Sequence, residues 1–127
     1  SRIHLMKTLL LIFLGGGIGS VFRYATSLFV QRFYTGIIPY ATLITNIIGC
    51  FLIGLFVGFL EKKHGLNSDL KYLFITGFCG GYTTFSAFGI ENFNLLQSQN
   101  TFIALLYIGS SILFGLAAVW LGLFIMK

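Results

Sequence analysis

Gly77-Phe78-Cys79-Gly80-Gly81-Tyr82-Thr83-Thr84-Phe85-Ser86-Ala87-Phe88 is the stretch on which the fold turns. It sits inside an apolar segment, residues 72–95, which is long enough to cross a bilayer, because about 20 apolar residues span roughly 30 Å of hydrocarbon. Gly77, Gly80 and Gly81 together with the paired threonines make a poor continuous helix. Glycine gives up more conformational freedom than any other residue on becoming helical, and threonine offers its hydroxyl to the backbone as an alternative partner. The stretch therefore reads as a break at mid-membrane depth between two half-helices, with Thr83 or Thr84 capping the second half. The plainer reading is an unbroken glycine-rich helix that packs closely, and the consecutive threonines weigh against it. A break here frees backbone groups that lipid cannot satisfy. Such backbone must be covered by protein, line a cavity or hold an ion.

Three further apolar segments lie outward of this one, at residues 8–30, 40–60 and 101–125. Hydrophobic residues make up 57% of the chain and charged residues only 9%, against about 25% charged in soluble domains. Too few charges are available to clothe a water-facing surface, so the apolar surface faces lipid. The expected architecture is an all-α membrane protein, a single four-helix transmembrane domain over residues 1–127. Its short connections leave no room for a nucleotide site or an extramembrane catalytic module, which points away from an enzyme. The first segment reads as a true span and not a signal peptide, being too long and lacking a small-residue cleavage site ahead of a mature domain.

A formal charge of +5 would direct attention to nucleic acid in a soluble protein. Here the cations flank spans, where they contact lipid headgroups and set orientation. With four spans, both termini and the second connection share a side. That side carries Arg2, Lys7, Lys62, Lys63, Lys71 and Lys127, and the other carries Arg32 alone. Both termini are therefore expected in the cytoplasm. Cys50 and Cys79 fall within spans and read as small packing residues without metal-ligand spacing.

Gly15 with Gly19 and Gly54 with Gly58 have the four-residue spacing that lets helix backbones approach. Pro39 suits the start of the second span. Arg23 and Glu91 are the ionisable residues within spans, and such residues are functional candidates by default. Arg23 reads first as an anchor or interhelical tether. Glu91, about two turns beyond the break, either faces a water-filled vestibule or pairs with a base. Asn46 is either interhelical glue, worth about 1 kcal/mol, or an amide presented to an anion. Phe85 and Phe88 share a helical face, with Ser86 beside them, and Tyr107 and Ser111 share another. Phenyl edges are electropositive, so ring edges, hydroxyls and an amide together can replace an anion's water without a fixed charge. Trp120 and Lys127 read as interface anchors.

Three segments resemble the Fluc family of fluoride channels, also called the CrcB family. Residues 15–24 are close to its GGxxGAxxRY pattern and residues 42–51 to its TLxxNxxGxF pattern, while residues 77–88 are close to its GFxGGxTTFSTF pattern, the specific one of the three. Ser20 stands where the family usually has alanine, Ala41 where glycine is common and Ala87 where threonine or serine is usual, and Ala87 removes a hydroxyl from the presumed ion track. The resemblance implies an antiparallel dual-topology dimer with two fluoride pores, a homodimer or a pair with an oppositely oriented paralogue. It implies passive export of toxic fluoride across the bacterial inner membrane. Phe85, Phe88 and Asn46 would line each pore, with Ser86, Tyr107, Ser111 and Glu91 along the ion track. Backbone carbonyls of Gly80 and Thr83 from both subunits would hold a structural sodium ion at the dimer centre. The competing classes are a small proton-coupled multidrug exporter and a non-transporting assembly subunit. The exporter relies on a buried acid in its first span, and residues 8–30 contain none.

Overall fold

A computed structural model describes residues 1–63, 65 and 68–127. The described residues are helical and contain no strand: α1 (Arg2–Gln31), α2 (Tyr40–Lys63), a π-helical segment Lys71–Cys79, α3 (Gly80–Tyr82), α4 (Phe85–Gln97) and α5 (Thr101–Ile125). Four helical units are long and apolar enough to cross a membrane, the third being the composite Lys71–Gln97. This is a multi-pass membrane protein.

Local chemistry sets the helix ends. α1 begins earlier than its apolar run, because the Ser1 hydroxyl caps it by accepting from the His4 N–H at 3.2 Å. α2 starts directly after Pro39, whose carbonyl accepts from the Leu43 N–H at 3.1 Å. Lys62 and Lys63 lie in the last turn of α2, not beyond it, where their charge suits the negative end of the helix dipole. Lys62 Nζ reaches the main-chain oxygen of Lys127 at 3.4 Å. At the same end of the bundle, Lys7 pairs with Asp69 at 2.7 Å. Both termini and the second connection thus share one side, as the charge pattern requires.

The third span is broken where the glycines and threonines place it. Thr83 (φ −84°, ψ 160°) and Thr84 (φ −149°, ψ 121°) are extended. Of the two candidate caps Thr84 serves α4, its Oγ1 accepting from the Ala87 N–H at 3.1 Å. Thr83 closes the first half instead, its N–H and its Oγ1 both donating to the Cys79 carbonyl, at 3.0 and 2.9 Å. The nine-residue π-helical winding of Lys71–Cys79 was not expected. π-helical turns are rare and concentrate at functional sites.

Small residues bring the helices together. Gly15 and Gly19 of α1 are buried against the backbone of Leu73, Gly77, Phe78 and Tyr82, and Gly81 lies on the backbone of Gly16. A methyl group at any of these positions meets main chain. On the far side of α2, Gly54 abuts the backbone of α5 at Val119, Gly122 and Leu123, and Gly58 lies on Met126. Both glycine pairs are packing devices, as their spacing implies. Outward-facing side chains such as Leu9, Phe13, Leu113 and Leu116 are more than half exposed, which is the surface lipid covers.

Candidate functional site

Polar atoms released by the break are claimed by specific side chains. Asn46 on α2 grips Thr84 from both sides: Oδ1 accepts from the Thr84 N–H at 2.8 Å and Nδ2 donates to the Thr84 carbonyl at 3.0 Å. In an unbroken helix that N–H would serve the carbonyl of Gly80, so the clasp holds the helix open. Among the described residues one Nδ2 hydrogen is left over. The carbonyl of Gly81 goes to α1, accepting from Arg23 Nε at 3.2 Å and Ser20 Oγ at 3.4 Å. Of the two readings open for Arg23, anchor or interhelical tether, this contact is the tether. Tyr82, almost fully buried, ends the first half with its hydroxyl 2.8 Å from Thr26 Oγ1.

Beside the break a groove of about 460 Å³ opens onto the face of the protein. It brings Gly80, Thr83, Phe85 and Phe88 of the third span together with Asn46 of α2 and Ser111 of α5. The Phe85 and Phe88 ring centroids are 5.7 Å apart. Phe85 is 82% exposed, a large ring left bare beside mid-span polar groups. Ser111 Oγ is buried with no partner among the described residues. Ser86 does not line the groove. Its exposed hydroxyl sits 3.2 Å from Thr84 Oγ1, at the head of α4.

Rings carry the site outward from the groove. Phe88 lies 5.0 Å from Tyr107, centroid to centroid, within the contact range of aromatic pairs. The Tyr107 hydroxyl donates to Glu91 Oε1 at 2.8 Å, and Thr42 Oγ1 donates to Glu91 Oε2 at 2.6 Å. Among the described residues the partners of Glu91 are hydroxyls and not a base. Glu91 also lines a second cavity of about 260 Å³ with Pro39, Asn94, Ser98 and Asn100. Contacts thus run from the groove at the break through Phe88 and Tyr107 to Glu91 and the vestibule that Glu91 borders.

Residues 10–123 match the family described as CrcB-like protein, Camphor Resistance (CrcB). The chain belongs to the CrcB family. A CrcB relative from Flavobacterium psychrophilum, named fluoride-specific ion channel FluC, is 56% identical over 122 residues, covering 96% of this chain and 98% of that one. Relatives of the same name from Azobacteroides pseudotrichonymphae and Phocaeicola vulgatus are 47% and 43% identical over 118 residues, 93% of this chain and 94% and 97% of theirs.

Within this CrcB chain three polar side chains escaped the sequence reading. Thr42 binds Glu91, Thr26 binds Tyr82, and Asn92 is 7% exposed in the middle of α4. Thr42 lies four residues before Asn46, one turn away on the same face of α2, and that spacing is the signal that could have found it.

Proposed function

We propose that the chain is one subunit of a fluoride-selective channel through which fluoride leaves a bacterial cell passively. The observation that carries this reading is the groove at the break. Lipid-exposed irregular backbone does not occur at membrane depth, so this face must be covered by protein or bathed in water. A second subunit laid against it does both, enclosing a path between its own surface and the line from Asn46 to Glu91. The bare Phe85 ring supports the same placement. We take the pair to be antiparallel, with each subunit contributing one line and the dimer holding two pores in the inner membrane.

Along such a path the residues present replace water stepwise. The spare Asn46 N–H, the Ser111 hydroxyl and the edges of Phe85 and Phe88 face a small anion with positive charge but no full cation, so the ion is stabilised without being trapped. Ser86 extends the donor set at the head of α4. Glu91 would repel an anion if bare, but two hydroxyls engage its oxygens, and they screen it where the path meets the vestibule. A narrow set of donors favours the smallest halide over chloride.

The sodium implied at the centre fits the residues present. Thr84 gives its N–H to Asn46, and Thr84 Oγ1 takes the Ala87 N–H that a continuous helix would return to Thr83. The carbonyls of Gly80 and Thr83 are thereby released at the groove, and hard backbone oxygens suit a hard cation. Gly80 and Thr83 would hold the ion. When bound, it supplies positive charge that balances the freed carbonyl dipoles.

Fluoride-electrode recording of proteoliposomes containing only this chain tests substrate and self-sufficiency together. Fluoride efflux without chloride efflux is the expected result. Vesicles impermeable to fluoride, from protein that purifies as a monomer, would end this reading.

A further inference from the structure

Asn92 stands on a stripe where an apolar residue would be ordinary. Phe88, Asn92 and Leu95 lie one turn apart along one face of α4. Phe88 and Leu95 pack in a cluster with Ala104 and Tyr107 of α5. Asn92, between them, is more than nine-tenths buried. Its Nδ2 donates to the carbonyl of Phe88 at 2.9 Å, a back-bond to the residue one turn earlier, of the kind that adjusts the local course of a helix. Its Oδ1 is buried without a partner among the described residues. Such a group in a native protein asks for an explanation, and a buried water is the commonest one.

The position of this amide gives it leverage. Phe88 joins the groove to Tyr107, and Tyr107 joins it to Glu91. Glu91 is the residue directly before Asn92. A change in the turn from Phe88 to Asn92 therefore moves both ends of the junction between groove and vestibule.

We propose that Asn92 is a positioning residue for Phe88: Nδ2 holds the carbonyl of the turn that carries the ring, and Oδ1 accepts from a buried water in the seam between α4 and α5. The ring is then fixed from behind by a polar anchor as well as by packing. The proposal rests on the reading of Phe88 as an ion-path residue.

Asn92→Thr and Asn92→Val separate the polar anchor from shape. Both residues are β-branched and nearly isosteric, but only threonine can donate to the carbonyl one turn back and accept from a water. The threonine variant should conduct close to wild type. The valine variant should lose about tenfold in fluoride efflux, the order expected for one buried hydrogen bond. 4-Fluorophenylalanine placed at position 88 gives a second readout: its fluorine resonance should stay wild-type in Asn92→Thr and shift or broaden in Asn92→Val. Equal efflux and equal spectra for the two variants overturn the proposal. Whether or not the valine variant assembles, a wild-type crystal structure resolving ordered water must show one on Asn92 Oδ1, and a dry Oδ1 overturns it too. Should the wild type fail to pass fluoride, the functional reading falls, while the fluorine spectra still decide the role of Asn92.

Discussion

Asn46→Ala is the perturbation that bears most directly on why the third span stays open. It removes two hydrogen bonds to Thr84, at 2.8 and 3.0 Å. Interhelical hydrogen bonds in membranes average about 0.6 kcal/mol and reach about 1.7, so the pair is worth roughly 1–3 kcal/mol. Stranding the Thr84 N–H and carbonyl adds about 1–3 kcal/mol each if they stay dry. They border an open groove, so water repairs part of that loss, and about 2–3 kcal/mol is the reasoned total. Every 1.4 kcal/mol is tenfold, so the open geometry should lose about 30- to 150-fold relative to its competitors. The nearest competitor is a healed helix in which Thr84 donates to Gly80 and consumes a carbonyl that the break had freed.

Two measurements on the same protein follow. Fluoride efflux from proteoliposomes should fall at least tenfold, and the melting temperature in detergent should drop by several degrees. Asn46→Asp discriminates between clasp and contact. It keeps the acceptor for the Thr84 N–H but loses the donor and places a negative charge in the groove. It should therefore melt closer to wild type than the alanine variant while passing no fluoride. If Asn46→Ala abolishes efflux without any change in melting, Asn46 is an ion contact and not a clasp. If it changes neither, the account of the break is wrong.

Phe85→Ile and Phe88→Ile exchange electropositive ring edges for alkyl surface of similar bulk; each should abolish fluoride efflux and leave an assembled protein by size-exclusion chromatography, and unchanged flux in both removes the ring-edge mechanism. Gly19→Ala drives a methyl into the backbone of Phe78 and Tyr82, an overpacking that costs about 1–3 kcal/mol or more, so the yield of folded protein should fall while Gly17→Ala, where space is open, should be tolerated. The hydrogen bond from Lys7 holds the Asp69 carboxyl below its usual range, against an opposing desolvation and with smaller help from the charges of Lys7 and His4; a depressed carboxylate stabilises the fold above the ordinary carboxylate pKa and loses that contribution as pH falls through its folded value. Wild type and Asp69→Asn should therefore differ modestly in melting temperature at neutral pH and converge in acid, and a constant difference across that range would disprove the link.

What could be read in the sequence was what is local. The break between Tyr82 and Phe85 announces itself because glycine and threonine weaken a helix wherever it lies, and the glycine spacings of α1 and α2 imply close approach whatever they approach. The destinations of the freed groups are not local. Thr84 meets Asn46 across 38 residues and Gly81 meets Arg23 across 58, and nothing in either neighbourhood names the other. The π-helical winding was hidden for the same reason, since Leu73, Gly77 and Phe78 lie against the glycines of α1, and only the packed pair shows that contact. Asn92 was missed for a different reason. Near a span's end, beside Asn94 and Ser98, an asparagine reads as a residue at the water boundary. Only the stripe from Phe88 to Leu95, seated on Ala104 and Tyr107, turns it inward. Asn46, Arg23 and Glu91 are thus polar residues whose partners come from elsewhere in the chain. A membrane span hides them well, because inside lipid a polar side chain is kept only where another element answers it.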